Sequence, residues 1–157
     1  MRTRIQFTYV ALVFALAIYL APHSVALAAE PILVNGVVSE QFVHGNPFQT
    51  PHGDVVEAED EWSGTLVGDG VVHIFSSDFV PPSTSLNVVS ERKLFTTDGN
   101  LFLSEVGDRY GSLVEVVSVI NGGTGIYKGA TGTLTFTGTL GGGKIEFVYS
   151  GVINLAD

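Results

Sequence analysis

Several side chains in this sequence are of the types that do chemistry, and their surroundings decide what chemistry is open to them. His73 stands between Val71 and Phe75 on one face of an apolar stretch. An imidazole there could move a proton inside a cavity, since histidine titrates near neutrality, or it could simply be a hydrogen-bonded wall residue. Glu40 and Glu115 are carboxyls set within apolar runs. Burial would raise the pKa of either and make it an acid; turned outward, each is an ordinary solvated group. Tyr127 and Tyr149 could bring a phenol to a cavity wall, or pack in a core with the hydroxyl at its rim. His44, His52 and Asp54 fall in one Pro- and Gly-rich stretch, too loosely spaced to form a metal template, and no metal is expected. Asp54, Glu57, Glu59, Asp60 and Glu61 crowd together next to it and read as a solvated loop, without the ligand order of a calcium-binding loop. No Ser-His-Asp order, phosphate loop or dinucleotide fingerprint occurs, so no cofactor is expected.

The elements that must position these groups are strands. The clearest is residues 131–140, where Thr131, Thr133, Thr135, Thr137 and Thr139 alternate with Gly132, Leu134, Phe136, Gly138 and Leu140. Alternation with a period of two marks a half-buried strand. Further strands are expected at residues 32–43, 62–67, 71–79, 86–96, 101–106, 113–120 and 144–155, mostly joined by tight turns such as Gly68-Asp69-Gly70 and Gly141-Gly142-Gly143. Eight short strands with regular turn signals and no helical periodicity predict an all-β fold, a single closed eight-stranded antiparallel β-barrel. Closure removes the sheet edges that invite aggregation. Residues 113–120 are apolar on both faces and residues 71–79 nearly so, which predicts that their outer faces are covered, by another copy of the chain among other candidates.

The chain opens with Arg2 and Arg4, an apolar run over residues 9–20, and Ala26-Leu27-Ala28. This is the layout of a cleaved signal peptide, residues 1–28, and places the protein outside the cytoplasm, secreted or periplasmic, with residues 29–157 as one domain. The remaining domain keeps all 16 acidic residues and only five basic ones (Arg92, Lys93, Arg109, Lys128 and Lys144). Such a balance excludes nucleic acid and anionic membrane surfaces as partners, since both require a basic patch. Cysteine is absent, so the fold must rest on its core and hydrogen bonds alone.

Residues 120–139, INGGTGIYKGATGTLTFTGT, followed by KIEFVYSGVINL, resemble the allene oxide cyclase and dirigent barrels. The matching positions are Gly122, Gly123, Thr124, Gly125, Ile126, Tyr127, Gly129, Ala130 and Gly132. The resemblance implies an eight-stranded barrel with an apolar cavity, and commonly a homotrimer. It carries fold rather than activity. The glutamate, asparagine and cysteine that serve the plant cyclases have no counterparts here: Asn35 and Glu40 stand in another order and spacing, and there is no cysteine. Whether the chain is an enzyme, an isomerase or cyclase of that type, stays open at this point.

Two functions follow. In one, an apolar lumen binds a small hydrophobic molecule, fatty-acid-like or phenolic, and steers its cyclisation or coupling by restricting its conformers. In the other, the lumen is filled and the chain is a non-catalytic exported structural or interaction domain. A cavity of several hundred cubic ångströms would favour the first. Alternation assigns the inward, ligand-binding set as Leu134, Phe136, Phe147, Tyr149 and Ile153, together with His73. It also predicts that Gly138→Leu fills the pocket and leaves the barrel folded.

Overall fold

The computed structural model describes residues 30–44, 56–79 and 85–156. The expected leader, residues 1–28, and His52 and Asp54 lie outside the described residues. Eight strands form one closed antiparallel barrel in sequence order: β1 (Ile32–His44), β2 (Val56–Gly64), β3 (Gly68–Phe79), β4 (Ser85–Thr96), β5 (Gly99–Tyr110), β6 (Leu113–Gly123), β7 (Thr131–Gly141) and β8 (Lys144–Asn154). β1 closes the ring by pairing with β8, from Ile32 opposite Ile153 to Gln41 opposite Lys144. The fold read from alternation is therefore the fold adopted.

One boundary differs in a way that matters for function. From Glu57 to Glu61 the acidic run read as a solvated loop lies in strand β2. Ala58, Asp60 and Trp62 point inward and are buried, while Glu57, Glu59 and Glu61 are exposed. Pairing with β1 and β3 on its two sides overrides the strand's poor intrinsic propensity, because a barrel supplies a backbone partner along both edges. The turn that follows is Thr65–Val67, and Gly68–Gly70 already belongs to β3.

The segment between β6 and β7 is a plug at one end of the barrel. A single 3₁₀ turn, Gly125–Tyr127, docks on the β4–β5 turn: Thr124 N–H donates to Asn100 O at 2.9 Å and Ile126 N–H to Asp98 O at 3.1 Å. Tyr127 is buried there with Leu66, Leu94 and Leu101. Above them an aromatic group fills the lumen. Trp62 meets Phe136 edge-on at 5.5 Å between centroids and Tyr149 at 4.9 Å, and Phe136 meets Phe147 at 5.8 Å. Such pairs add roughly 0.5–1.5 kcal/mol each beyond their burial.

Phe147 fits because its cross-strand partner on β7 is Gly138. A Cβ on Gly138 would lie 2.4 Å from Phe147 Cδ1 and 2.7 Å from Glu146 O. The glycine faces inward as alternation requires, but the expectation that leucine would be accommodated there is corrected: a ring and a backbone carbonyl already occupy the space. Gly138→Leu is expected to cost about 3 kcal/mol or more by overpacking. A denaturant titration checks this; a midpoint within error of the parent would reject it.

Candidate functional site

The other end of the lumen is built differently. Arg92, on β4, is buried inside the barrel and reaches three carboxylates on three other strands. Its Nη1 donates to Asp60 Oδ2 at 2.5 Å, its Nη2 to Glu40 Oε2 at 2.9 Å, and its Nε to Glu105 Oε1 at 2.8 Å. Ser90 and Ser118 hold Glu105 from either side, donating at 2.9 and 2.7 Å. Trp62 Nε1–H donates to Asp60 Oδ2 at 3.2 Å. The guanidinium lies over the Phe136 ring, 5.1 Å from its centroid, and 5.8 Å from that of Trp62.

The strands place these groups through register. Glu40 and Asp60 are direct neighbours on β1 and β2. Ser90, Glu105 and Ser118 are consecutive neighbours across β4, β5 and β6. Gly70 on β3 leaves the gap that Asp60 and Trp62 fill: a Cβ there would lie 2.9 Å from Asp60 Oδ2 and 3.2 Å from Trp62 Nε1.

Three carboxylates facing one guanidinium leave negative charge in excess. Burial pushes the Glu40 carboxyl up to about 7, against the pull of Arg92, and Asp60 and Glu105 push it the same way. Burial raises Asp60 too, Arg92 and the Trp62 hydrogen bond opposing it. Burial would lower Arg92, but Asp60, Glu105 and Glu40 outweigh it and hold the guanidinium charged. Asp60 Oδ1 is buried and, among the described residues, has no hydrogen-bond partner.

This cluster floors a cleft that opens at the end of the barrel opposite the plug. Its charged and polar lining is Glu40, Ser90, Arg92, Glu105 and, at the rim, Arg109. Its apolar walls include Phe42, Val72, Ile74, Val88, Val114, Val116, Ile145 and Phe147. The cleft has a volume of about 30 Å³.

The residues singled out from sequence divide sharply. Leu134, Phe136, Phe147, Tyr149 and Ile153 all point into the lumen and are buried. Of the five, Phe147 alone lines the cleft; the others pack beneath it. Tyr149 offers no free hydroxyl to a cavity, because its oxygen accepts from Leu66 N–H at 2.9 Å at the plugged end. His73 is corrected: it faces outward with its side chain 49% exposed, 3.7 Å from Glu57. On β3 the inner face is Gly70, Val72 and Ile74, and His73 and Phe75 share the outer one. Glu115 is exposed and Glu40 is buried, so of the two carboxyls Glu40 is the one inside the barrel. His44 is exposed at the end of β1, and among the described residues no three or more His, Cys, Asp or Glu side chains are placed so that they could hold a metal ion.

Asp60, Arg92 and Glu105 were missed. Asp60 shares its parity with Ala58 and Trp62, and Glu105 with Leu101 and Leu103. That parity was the available signal.

The barrel is thus closed and antiparallel, plugged at one end and carrying at the other a cleft over a buried charge cluster. Among solved structures, the chain is similar to that of the pterocarpan synthase dirigent protein, with a TM-score of 0.54, 16% identity, and coverage of 83% of this chain and 98% of that one. At that identity the likeness is one of barrel fold. No family model matches the chain, and no curated protein matches it.

Proposed function

We propose that this chain is an exported dirigent-like barrel that binds a small apolar molecule in the mouth of its lumen and limits it to one conformer, so that a reactive form of it cyclises or couples in one geometry. The observation that carries this reading is the charge cluster at the floor of the cleft. Burying ions costs several kcal/mol each, and well-packed apolar residues of similar volume are usually as stable or more so. A barrel that needed only to stand would gain nothing from four buried charges, whereas a site that orients a ligand needs a few fixed polar groups in an apolar cleft. The N-terminal pattern of residues 1–28 supports export. Among the described residues no helix is long and apolar enough to cross a membrane.

The test is calorimetric titration of the mature domain with apolar and phenolic molecules, alongside a Val116→Phe variant. Val116 lines the mouth and is half-buried, so phenylalanine can fill the cleft from its rim. Binding by the parent that drops at least tenfold in the variant supports the reading. A parent that binds nothing leaves the structural reading standing.

That second reading has its own observations. The cleft volume of about 30 Å³ is far below several hundred, and apolar side chains stand on the outside of β4, β5 and β6. Val89, Val106 and Val117 are lateral neighbours across these strands, exposed to 46%, 60% and 48%. Phe75 and Val119 flank them. An apolar stripe of this kind is suited to a second copy of the chain, and a homo-oligomer, a trimer by the resemblance, is the proposal that accounts for it. Light scattering at tens of micromolar is expected to give a multiple of the monomer mass, with Val106→Lys shifting it to monomer. A monomeric parent would reject the assembly.

A further inference from the structure

Glu40 and Asp60 stand directly opposite each other across β1 and β2, both on the inner face and both buried. Directly opposed side chains lie about 5 Å apart at Cβ, and like charges in that position destabilise the pairing of the two strands. Arg92 lies between them, with Nη2 on Glu40 and Nη1 on Asp60, and its Nε serves Glu105 as well. While one of the opposed carboxyls is protonated, the cluster carries one net negative charge. With both ionised it carries two, because three carboxylates then share one guanidinium.

The groups facing Glu40 from the other strands leave that repulsion in place. Ser90 of β4 and Ser118 of β6 donate to Glu105. Arg109 of β5 stands at the rim, its Nε on Gly111 O at 2.5 Å, where water screens its charge. The buried side chains Val72 and Ile74 of β3, Leu134 and Phe136 of β7, and Ile145 and Phe147 of β8 are uncharged. The Tyr149 phenol is engaged with Leu66 at the plugged end, and outside the barrel Lys144 pairs with Glu146.

The seam that bears this repulsion is built to part at one end. A bulge between Phe42 and His44 interrupts the β1–β2 pairing just beyond Glu40, toward the mouth, and β2 is rich in acidic residues, which are poor strand formers. Toward the plug, Trp62 stops any parting: it donates to Asp60 and packs on Phe136 and Tyr149. Two further observations favour an opened form. Asp60 Oδ1 is buried without a hydrogen-bond partner among the described residues, a cost that water would relieve. The cleft, at about 30 Å³, has room for a water and not for an organic molecule.

We propose that the mouth end of the β1–β2 seam is a pH-operated gate, closed while Glu40 or Asp60 is protonated and parted when both are ionised, so that water reaches Asp60 Oδ1 and the cleft widens beside Phe42. As a control on ligand entry the gate rests on the lumen binding proposed above; as a movement of the barrel it is read without a ligand. Burial holds the Glu40 carboxyl up to about 7 and raises Asp60. The gate is therefore closed in mild acid and opens as pH rises through about 7.

Trp62 is the one tryptophan of the chain and lies at the foot of the seam, so its emission reports the opening. The experiment is acrylamide quenching of that emission between about pH 6 and about pH 8.5, with circular dichroism confirming that the barrel stays folded. The quenching constant is expected to rise at least about threefold across this interval in the parent and to stay low in Glu40→Gln. Carbon NMR of the Glu40 carboxyl gives a reading in the parent alone: its titration midpoint should coincide with that of the quenching. Phenol, neutral to about pH 10, is titrated calorimetrically at both ends and is expected to bind more tightly at the alkaline one. A quenching constant that does not change in the parent, that rises equally in Glu40→Gln, or whose midpoint departs from that of Glu40 overturns the gate, whether or not phenol binds. A rise that follows Glu40 with no phenol bound at either pH keeps the gate and counts against lumen binding.

Discussion

Arg92→Leu is expected to lower the melting temperature at neutral pH by roughly 10–20 °C, the largest effect of any single substitution in the lumen. The size follows from what is left behind. Arg92 is the shared partner of Glu40, Asp60 and Glu105, and without it three buried carboxyls face one another. Removing one partner of a buried ion pair typically costs about 3–5 kcal/mol, because the remaining charge stays buried and uncompensated. The carboxyls can escape only by taking up protons, so the loss is expected to shrink in acid. Arg92→Lys keeps the charge but not the fork: one ammonium cannot reach in the three directions that Nη1, Nη2 and Nε reach. An intermediate loss is expected for it. Thermal unfolding followed by circular dichroism at neutral and acid pH checks the pair. Leucine melting within a few degrees of the parent at neutral pH would show that the cluster contributes nothing to holding the barrel.

The barrel itself was legible because it rests on the signal that strands broadcast most clearly. The threonines of β7 mark its outer face and Leu134 and Phe136 its inner face, and the aromatic alternation of β8 fixes the register against it. The turns announce themselves through glycine. The site was legible only in part, for a specific reason. Its residues are charged, and charge on a strand reads as the solvent face. In β2 the three glutamates Glu57, Glu59 and Glu61 are outside and Asp60 is inside; chemistry does not separate them, and only their parity relative to Ala58 and Trp62 does. In β4, Ser90 and Arg92 share an inner face with Leu94, while Val89 and Phe95 stand outside, so hydrophobicity points the wrong way on half the strand. What resolves it is the partner set: Arg92 is tolerable inside because Glu40, Asp60 and Glu105 arrive from other strands, between 13 and 52 residues away in sequence. The misplacement of His73 has the same root. It lies between apolar neighbours, but Phe75 is outward and exposed as well, so the apolar face of β3 that seemed to include it was the wrong one.

The second large effect is on the pH dependence of stability, and it runs against the usual direction. In the unfolded chain Glu40 titrates near 4.5, and in the barrel near 7. A carboxyl raised by folding favours the folded state when protonated. Its contribution is fully present below about 4.5 and is lost as pH rises through about 7. One pKa unit corresponds to about 1.4 kcal/mol, so this group alone changes stability by an amount on the order of 3 kcal/mol across that window. Asp60 is raised for the same reason and adds in the same direction. The domain is therefore expected to melt at a higher temperature at about pH 5.5 than at about pH 8. Glu40→Gln isolates the cause: the amide keeps the shape, can still accept from Arg92, and carries no charge to bury. It should flatten the slope and raise the melting temperature at the alkaline end above that of the parent, leaving the acid end nearly unchanged. Denaturant titrations of both proteins across this interval decide it. Equal slopes in parent and variant would place the pH dependence elsewhere, and a parent that grows more stable with rising pH would mean that Arg92 holds Glu40 ionised despite its burial.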